Sequence, residues 1–218
     1  VTRGGGWAAV LFDLDGTLAD TVPLILECYR HTMRVHRGKA LPDEPWLATI
    51  GTPLRDQLAA FATGPEEVLA MTETYVSRQL ELHDGMVRPF PGALELLTEL
   101  RARGVRTAVV TSKRRGMAAR TLERCGLGDA YDALVGADDV VRAKPDPEPV
   151  RAALALLGLG EDERHRTVFV GDSPFDMRSG RGAGARTAAA LWGPFARAVL
   201  EAENPDYWLE LLPDVLNL

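Results

Sequence analysis

Residues 8–20 read AAVLFDLDGTLAD, an apolar run that passes straight into two aspartates one residue apart and then into Gly-Thr. A run this short and this apolar predicts a strand covered on both faces, which belongs in a parallel sheet. Two carboxylates at the end of a buried strand repel each other unless a cation or a shared chemistry sits between them. Asp13 and Asp15 are two residues apart, so an extended backbone turns both side chains the same way. Gly16 allows a tight turn after them, and the Thr17 hydroxyl is expected to bond locally and hold that turn.

The rest of the chain supports a sheet. From about residue 92 onward, helical and strand patterns alternate, with helices predicted over 92–103, 114–125, 147–157 and 175–182. The intervening strands are predicted at 105–112, 133–135, 167–172, 186–191 and 207–209, with a terminal helix after them. This alternation implies an α/β fold with a Rossmann-like parallel sheet covered by helices. The stretch 22–84 breaks the pattern. It contains no strand-like run and predicts helices over 23–37, 54–62 and 65–83, so it reads as a helical insertion after the first strand. In parallel α/β sheets ligands bind beyond the carboxyl ends of the strands, and Asp13, Thr111 and Asp172 all fall there.

Composition narrows the function. A formal charge of −6 and the absence of a basic stripe disfavour a nucleic-acid or anionic-membrane partner. No stretch approaches the roughly 20 apolar residues that span a bilayer. Cys28 and Cys125 fit no metal or disulfide spacing and read as reduced structural thiols of a cytoplasmic protein. The four histidines fall outside the acidic motifs, and GRGAGAR (180–186) precedes a strand, the reverse of a dinucleotide fingerprint. Four carboxylates (Asp13, Asp15, Asp172 and Asp176) gathered at the strand ends demand a cation, and an all-oxygen site with room for water suits Mg²⁺.

Taken in order, these residues resemble the motifs of the haloacid dehalogenase superfamily of phosphohydrolases. The first motif is matched by Asp13-Leu14-Asp15-Gly16-Thr17, the second by Thr111, the third by Lys144 in KPDPEP, and the fourth by Asp172 and Asp176 in GDSPFD. The resemblance implies that Asp13 is a nucleophile forming an aspartyl-phosphate and that Asp15 is a general acid and base. It also implies that Mg²⁺ binds the Asp13 carboxylate, the Asp15 main-chain carbonyl and Asp172. Thr111, supported by the neighbouring Ser112, holds phosphoryl oxygens, and Lys144, steadied by Asp176, offsets negative charge. Four carboxylates against one lysine leave three net negative charges; Mg²⁺ and a protonated Asp15 bring the site to neutrality. Asp15 argues for the phosphatase branch over the dehalogenase branch. Among 25 basic residues only Lys39, Lys113 and Lys144 are lysines, and two of these fall near the motifs, although Lys113 is expected on the rim outside the catalytic set.

The helical insertion (20–86) resembles the family's small cap, with the α/β unit formed by 1–19 and 87–218 and hinges near 19–22 and 84–88. The segment IGTPLRD (50–56) resembles the specificity loop of phosphoglycolate phosphatases and a related pyrophosphatase, so Gly51, Thr52 and Arg55 are expected near the substrate. Trp46 is expected to pack in the interior of the insertion. The implied activity is Mg²⁺-dependent hydrolysis of a small phosphate ester: phosphoglycolate, pyrophosphate or a sugar or ribosyl phosphate, by a monomer or weak homodimer. A phosphosugar mutase resembling β-phosphoglucomutase is the alternative, and a non-catalytic binding protein on the same fold is a third.

Overall fold

A computed structural model describes residues 6–218. The first five residues of the expected α/β unit lie outside the described residues. Strand β1 (Ala9–Phe12) carries four side chains with no solvent exposure, as its unbroken apolar run requires. Burying Val10, Leu11 and Phe12 contributes about 1.5–3 kcal/mol each. A two-residue strand β2 (Ala19–Asp20) follows the turn. Four helices come next: α1 (Val22–Arg37), α2 (Glu44–Leu47), α3 (Leu54–Ala59) and α4 (Pro65–Met86). Strand β3 (Arg88–Pro89) then pairs antiparallel with β2, setting Ala19 opposite Pro89 and Asp20 opposite Arg88.

Beyond it the α/β alternation runs through α5 (Ala93–Ala102), β4 (Arg106–Val110), α6 (Arg115–Arg124), β5 (Ala133–Val135) and α7 (Glu148–Leu156). It closes with β6 (Thr167–Gly171), α8 (Pro174–Ala183), β7 (Arg186–Ala190), α9 (Arg197–Glu201) and β8 (Tyr207–Leu209). The last helical stretch is a 3₁₀ helix, Leu212–Asn217. The main sheet has the order β5-β4-β1-β6-β7-β8, and every neighbouring pair is parallel. The chain leaves β1 for one side of the sheet and later returns to its other side. The carboxyl end of β1 is therefore the topological switch point, where a crevice opens.

Local chemistry explains the helix ends. Gly38 ends α1 in the left-handed conformation, its N–H donating to the Arg34 carbonyl at 3.1 Å. Ser173 caps α8: its hydroxyl accepts from the Asp176 N–H, and the Asp176 carboxylate accepts from the Ser173 N–H. In the insertion, Trp46 is fully buried and stacks on Tyr29 at a centroid distance of 4.6 Å and on Tyr75 at 5.8 Å. It packs in the interior, as its size and low polarity favour. Arg37 links α1 to α4 through Glu67 at 2.7 Å. Cys28 and Cys125 are both buried free thiols. Among the described residues no helix is long and apolar enough to cross a membrane.

Candidate active site

Strands β1, β4 and β6 deliver Asp13, Thr111 and Asp172 to one end of the sheet. All three are almost wholly buried. Lys144, from the loop before α7, inserts its ammonium between Asp13 (Oδ1, 2.9 Å) and Asp176 (Oδ1, 2.6 Å). Both Asp176 oxygens are therefore committed, one to Lys144 and the other to the Ser173 N–H and hydroxyl. The carboxylate both caps α8 and steadies the lysine.

Oxygens of Asp13, Asp172 and Asp176 lie within 4.8 Å of one another. Burial is the main force on this cluster. It pushes the Asp13 carboxyl up to about 7, with Asp176 and Asp15 adding to the rise and Lys144 opposing it. Asp172 is raised well above the usual carboxylate range by burial first, and then by Asp13 and Asp176. Burial alone would lower Lys144, but the two aspartates outweigh it and hold the ammonium above the ordinary lysine range.

Which oxygens remain free tests whether a divalent cation fits. Asp172 Oδ1 accepts a 2.6 Å hydrogen bond from the Thr17 hydroxyl, while its Oδ2 is buried and has no partner. Asp13 offers the oxygen that Lys144 does not hold, and among the described residues no hydrogen bond reaches the Asp15 carbonyl oxygen. A buried carboxylate oxygen without a donor is costly, and a hard cation is the partner that oxygens of this kind suit. The open oxygens of Asp13 and Asp172 therefore fit a divalent cation. Two glycines make room for them. A Cβ on Gly16, whose φ is +85°, would come within 2.7 Å of Asp172 Oδ2, and a Cβ on Gly193 would collide with the same carboxylate.

The structure corrects two expectations. The Thr17 hydroxyl does not bond locally; it reaches across the fold to Asp172. The turn is held instead by backbone bonds, Gly16 N–H to Ala19 and Ala19 N–H to Leu14. Lys113 is not on the rim. Its ammonium lies 2.5 Å from Asp15 Oδ1, and both side chains are largely buried. The Thr21 hydroxyl donates to the same oxygen. The charge count therefore includes a second lysine, and four carboxylates face two ammoniums.

Thr111 Oγ1 accepts from the Lys113 N–H at 3.1 Å and does not cap α6, which begins after Arg114. The Ser112 hydroxyl donates to the Gly51 carbonyl at 2.6 Å, tying the insertion to the end of β4. Gly51 has φ +102°, and a Cβ there would meet the Ser173 hydroxyl at 2.9 Å and Phe175 at 3.2 Å. Only a residue without a side chain seats this loop so close to α8. Gly51, Thr52 and Arg55 line the same cavity as Asp13, Asp15 and Thr111. Trp192, whose indole N–H donates to the Thr17 carbonyl at 3.1 Å, joins Gly193 as a supporting residue that no motif indicated.

A parallel α/β core that gathers acids and a lysine at its switch point, with helices inserted after the first strand, defines the haloacid dehalogenase class of hydrolases. The model of the haloacid dehalogenase-like hydrolase family matches residues 10–190, and the chain belongs to that family. It is 37% identical to the pyrophosphatase PpaX of Bacillus velezensis over 96% of this chain and 95% of that one. It is 35% identical to the PpaX pyrophosphatase of Halalkalibacterium halodurans over the same shares of the two chains. A solved haloacid dehalogenase-like family hydrolase from Streptococcus pneumoniae superposes with a TM-score of 0.83 at 25% identity, covering 97% of each chain.

Proposed function

We propose that this hydrolase is a Mg²⁺-dependent phosphatase that acts on a small phosphorylated metabolite through an aspartyl-phosphate on Asp13. The observation that carries this reading is the buried, unpartnered Oδ2 of Asp172 within reach of Asp13. Asp13, the Asp15 carbonyl and Asp172 would hold the ion. When bound, Mg²⁺ supplies positive charge that lets a dianionic phosphoryl group approach the carboxylates.

The chain's own residues do the remaining work. The Asp13 oxygen that Lys144 holds attacks phosphorus in line, the other oxygen being the one left open to the ion. As the Asp13–phosphorus bond forms, the bond from phosphorus to the leaving oxygen breaks, and that oxygen takes the Asp15 proton. Asp15 then removes a proton from a water whose oxygen attacks the phosphorus. The Asp13–phosphorus bond breaks, inorganic phosphate leaves, and Asp15 is protonated again. Thr111 and the backbone N–H groups around Leu14 and Asp15 orient the phosphoryl oxygens, so that catalysis rests on positioning and charge.

Residues 20–86 act in this reading as a specificity unit closed over a catalytic unit formed by 1–19 and 87–218. The Ser112–Gly51 hydrogen bond supports that division of labour. Helices over the crevice exclude water until the phosphoryl group is seated.

An Asp15→Asn variant given an aryl phosphate, whose leaving oxygen needs no proton, provides the test. Phosphorylated protein accumulates, seen by intact mass and mapped to Asp13. A variant that turns over without a phosphorylated form removes Asp13 as nucleophile.

A further inference from the structure

The cavity that begins at Asp13 and Asp15 has a volume of about 820 Å³, far more than a pyrophosphate or a glycolate needs. Its depth lies on the side of the insertion. There α4 presents Thr72, Tyr75, Val76, Gln79 and Leu80 to the space, residues spaced along one helical face. Much of the wall is apolar: Ile25, Ile50, Leu54, Val76, Leu80 and Met117. Two of the three cations along it are already engaged, Lys113 by Asp15 and Arg114 by Asp138. Arg55 alone makes no ion pair or hydrogen bond among the described residues, and it is exposed. Arg55 is thus the one uncommitted cation that could meet a second phosphate, and the rest of the wall suits an apolar body better.

One polar group in this wall is unaccounted for. Gln79 is only 7% exposed, and its amide makes no hydrogen bond among the described residues. An amide that is open to the cavity and otherwise unpaired, set in a largely apolar wall, is placed to bond whatever occupies that space.

We infer that the substrate's leaving group is an apolar-bodied alcohol carrying one hydrogen-bonding group for Gln79, so that the preferred substrate is an organic phosphate monoester of that kind. This inference rests on the phosphatase reading above and narrows it. In the reaction the bond from phosphorus to the alcohol oxygen breaks, the alcohol leaves with a proton, and water supplies the new oxygen on phosphate.

The test is a series of ethyl, butyl and hexyl phosphate with Mg²⁺, set beside pyrophosphate and phosphoglycolate. The alkyl esters share nearly the same leaving-oxygen basicity, so the series reads the wall and not the chemistry. kcat/KM rises by about threefold to fourfold per methylene seated in the cavity, and hexyl phosphate outruns both small substrates. A flat or falling series, or pyrophosphate or phosphoglycolate outrunning hexyl phosphate, overturns the inference and leaves the phosphatase reading standing. Loss of turnover on every substrate takes both down.

Hydroxyhexyl phosphates with the hydroxyl at successive carbons test Gln79 itself. The wild-type chain prefers one of them over hexyl phosphate, and in Gln79→Leu that ratio drops by about tenfold or more. An unchanged ratio in the variant, or no preference in the wild type, removes Gln79 from the assignment.

Discussion

The Lys113 ammonium rests 2.5 Å from Asp15 Oδ1, although 98 residues separate the two along the chain. The contact joins the end of β4 to the turn after β1, and it places a second, largely buried cation beside the acidic cluster. Losing that cation exposes Asp15 to the charge of its neighbours and frees it to swing. Lys113→Met is expected to lower kcat/KM by roughly 10–100-fold. Lys113→Arg restores only part of it, since a planar guanidinium does not fill the place of a compact ammonium. Steady-state kinetics on the wild type and both variants check this ordering.

Asp13→Asn removes the proposed nucleophile and one of four crowded carboxylates together. Turnover falls by at least roughly 10³-fold. The fold does not suffer, because Lys144 keeps Asp176 at 2.6 Å and a buried like charge has gone. Activity and the thermal midpoint, measured on one preparation, distinguish this result from simple unfolding.

Mg²⁺ is expected to stabilise the folded chain as well as to support turnover. At a hundred times its dissociation constant it adds about 2.7 kcal/mol, which for a chain of this size raises the thermal midpoint by roughly 5–10 °C. Asp172→Asn loses most of that rise, since the unpartnered Asp172 oxygen is the group the ion would satisfy. Chelation abolishes both turnover and the thermal shift in the wild type. Differential scanning fluorimetry with and without the metal reads the effect without any substrate.

Gly51→Val forces a side chain against Ser173 and Phe175 and pushes the loop away from α8. A displacement of about an ångström in a substrate-positioning loop costs on the order of 10–100-fold in kcat/KM. The φ of +102° strains any side chain at this position, so a loss in thermal midpoint accompanies the kinetic loss. Kinetics that match the wild type would separate Gly51 from substrate positioning.

The thiols are expected to be inert. Burial pushes Cys28 up to about 12 and Cys125 up to about 11. At pH 8 the thiolate fraction of each is then on the order of 10⁻³ or less. Native protein resists alkylation, and both residues react once the chain is denatured, which mass spectrometry counts directly.

Much of this was legible in the linear sequence because local pattern and global structure agree. The run before Asp13 reads as a buried strand, and all four side chains of β1 are buried. Lys144 and Asp176 were separated from the other motifs only by chain length, and the sheet closes that distance. What escaped was whatever depends on non-local partners. A threonine beside a glycine looks like a turn-stabilising group, yet Thr17 bonds Asp172 across 155 residues. Ribbons of two residues, such as β2 with β3, carry no periodicity to detect. Gly193 and Trp192 act through close approach and one indole N–H, neither of which leaves a spaced signature. For Lys113 a signal did exist in the scarcity of lysine, but it did not say which carboxylate the ammonium would meet.

The pairing of Ala19 with Pro89 and Asp20 with Arg88 has a consequence for how such a chain diversifies. Where the two ends of an inserted stretch are neighbours, the stretch closes its own loop and puts no strain on the strands beneath. Its length, helix packing and cavity wall are then free to drift while Asp13 and Asp172 keep their separation. In the function proposed above, reactivity and choice of molecule are then separable, with this four-residue ribbon as one of the joints between them.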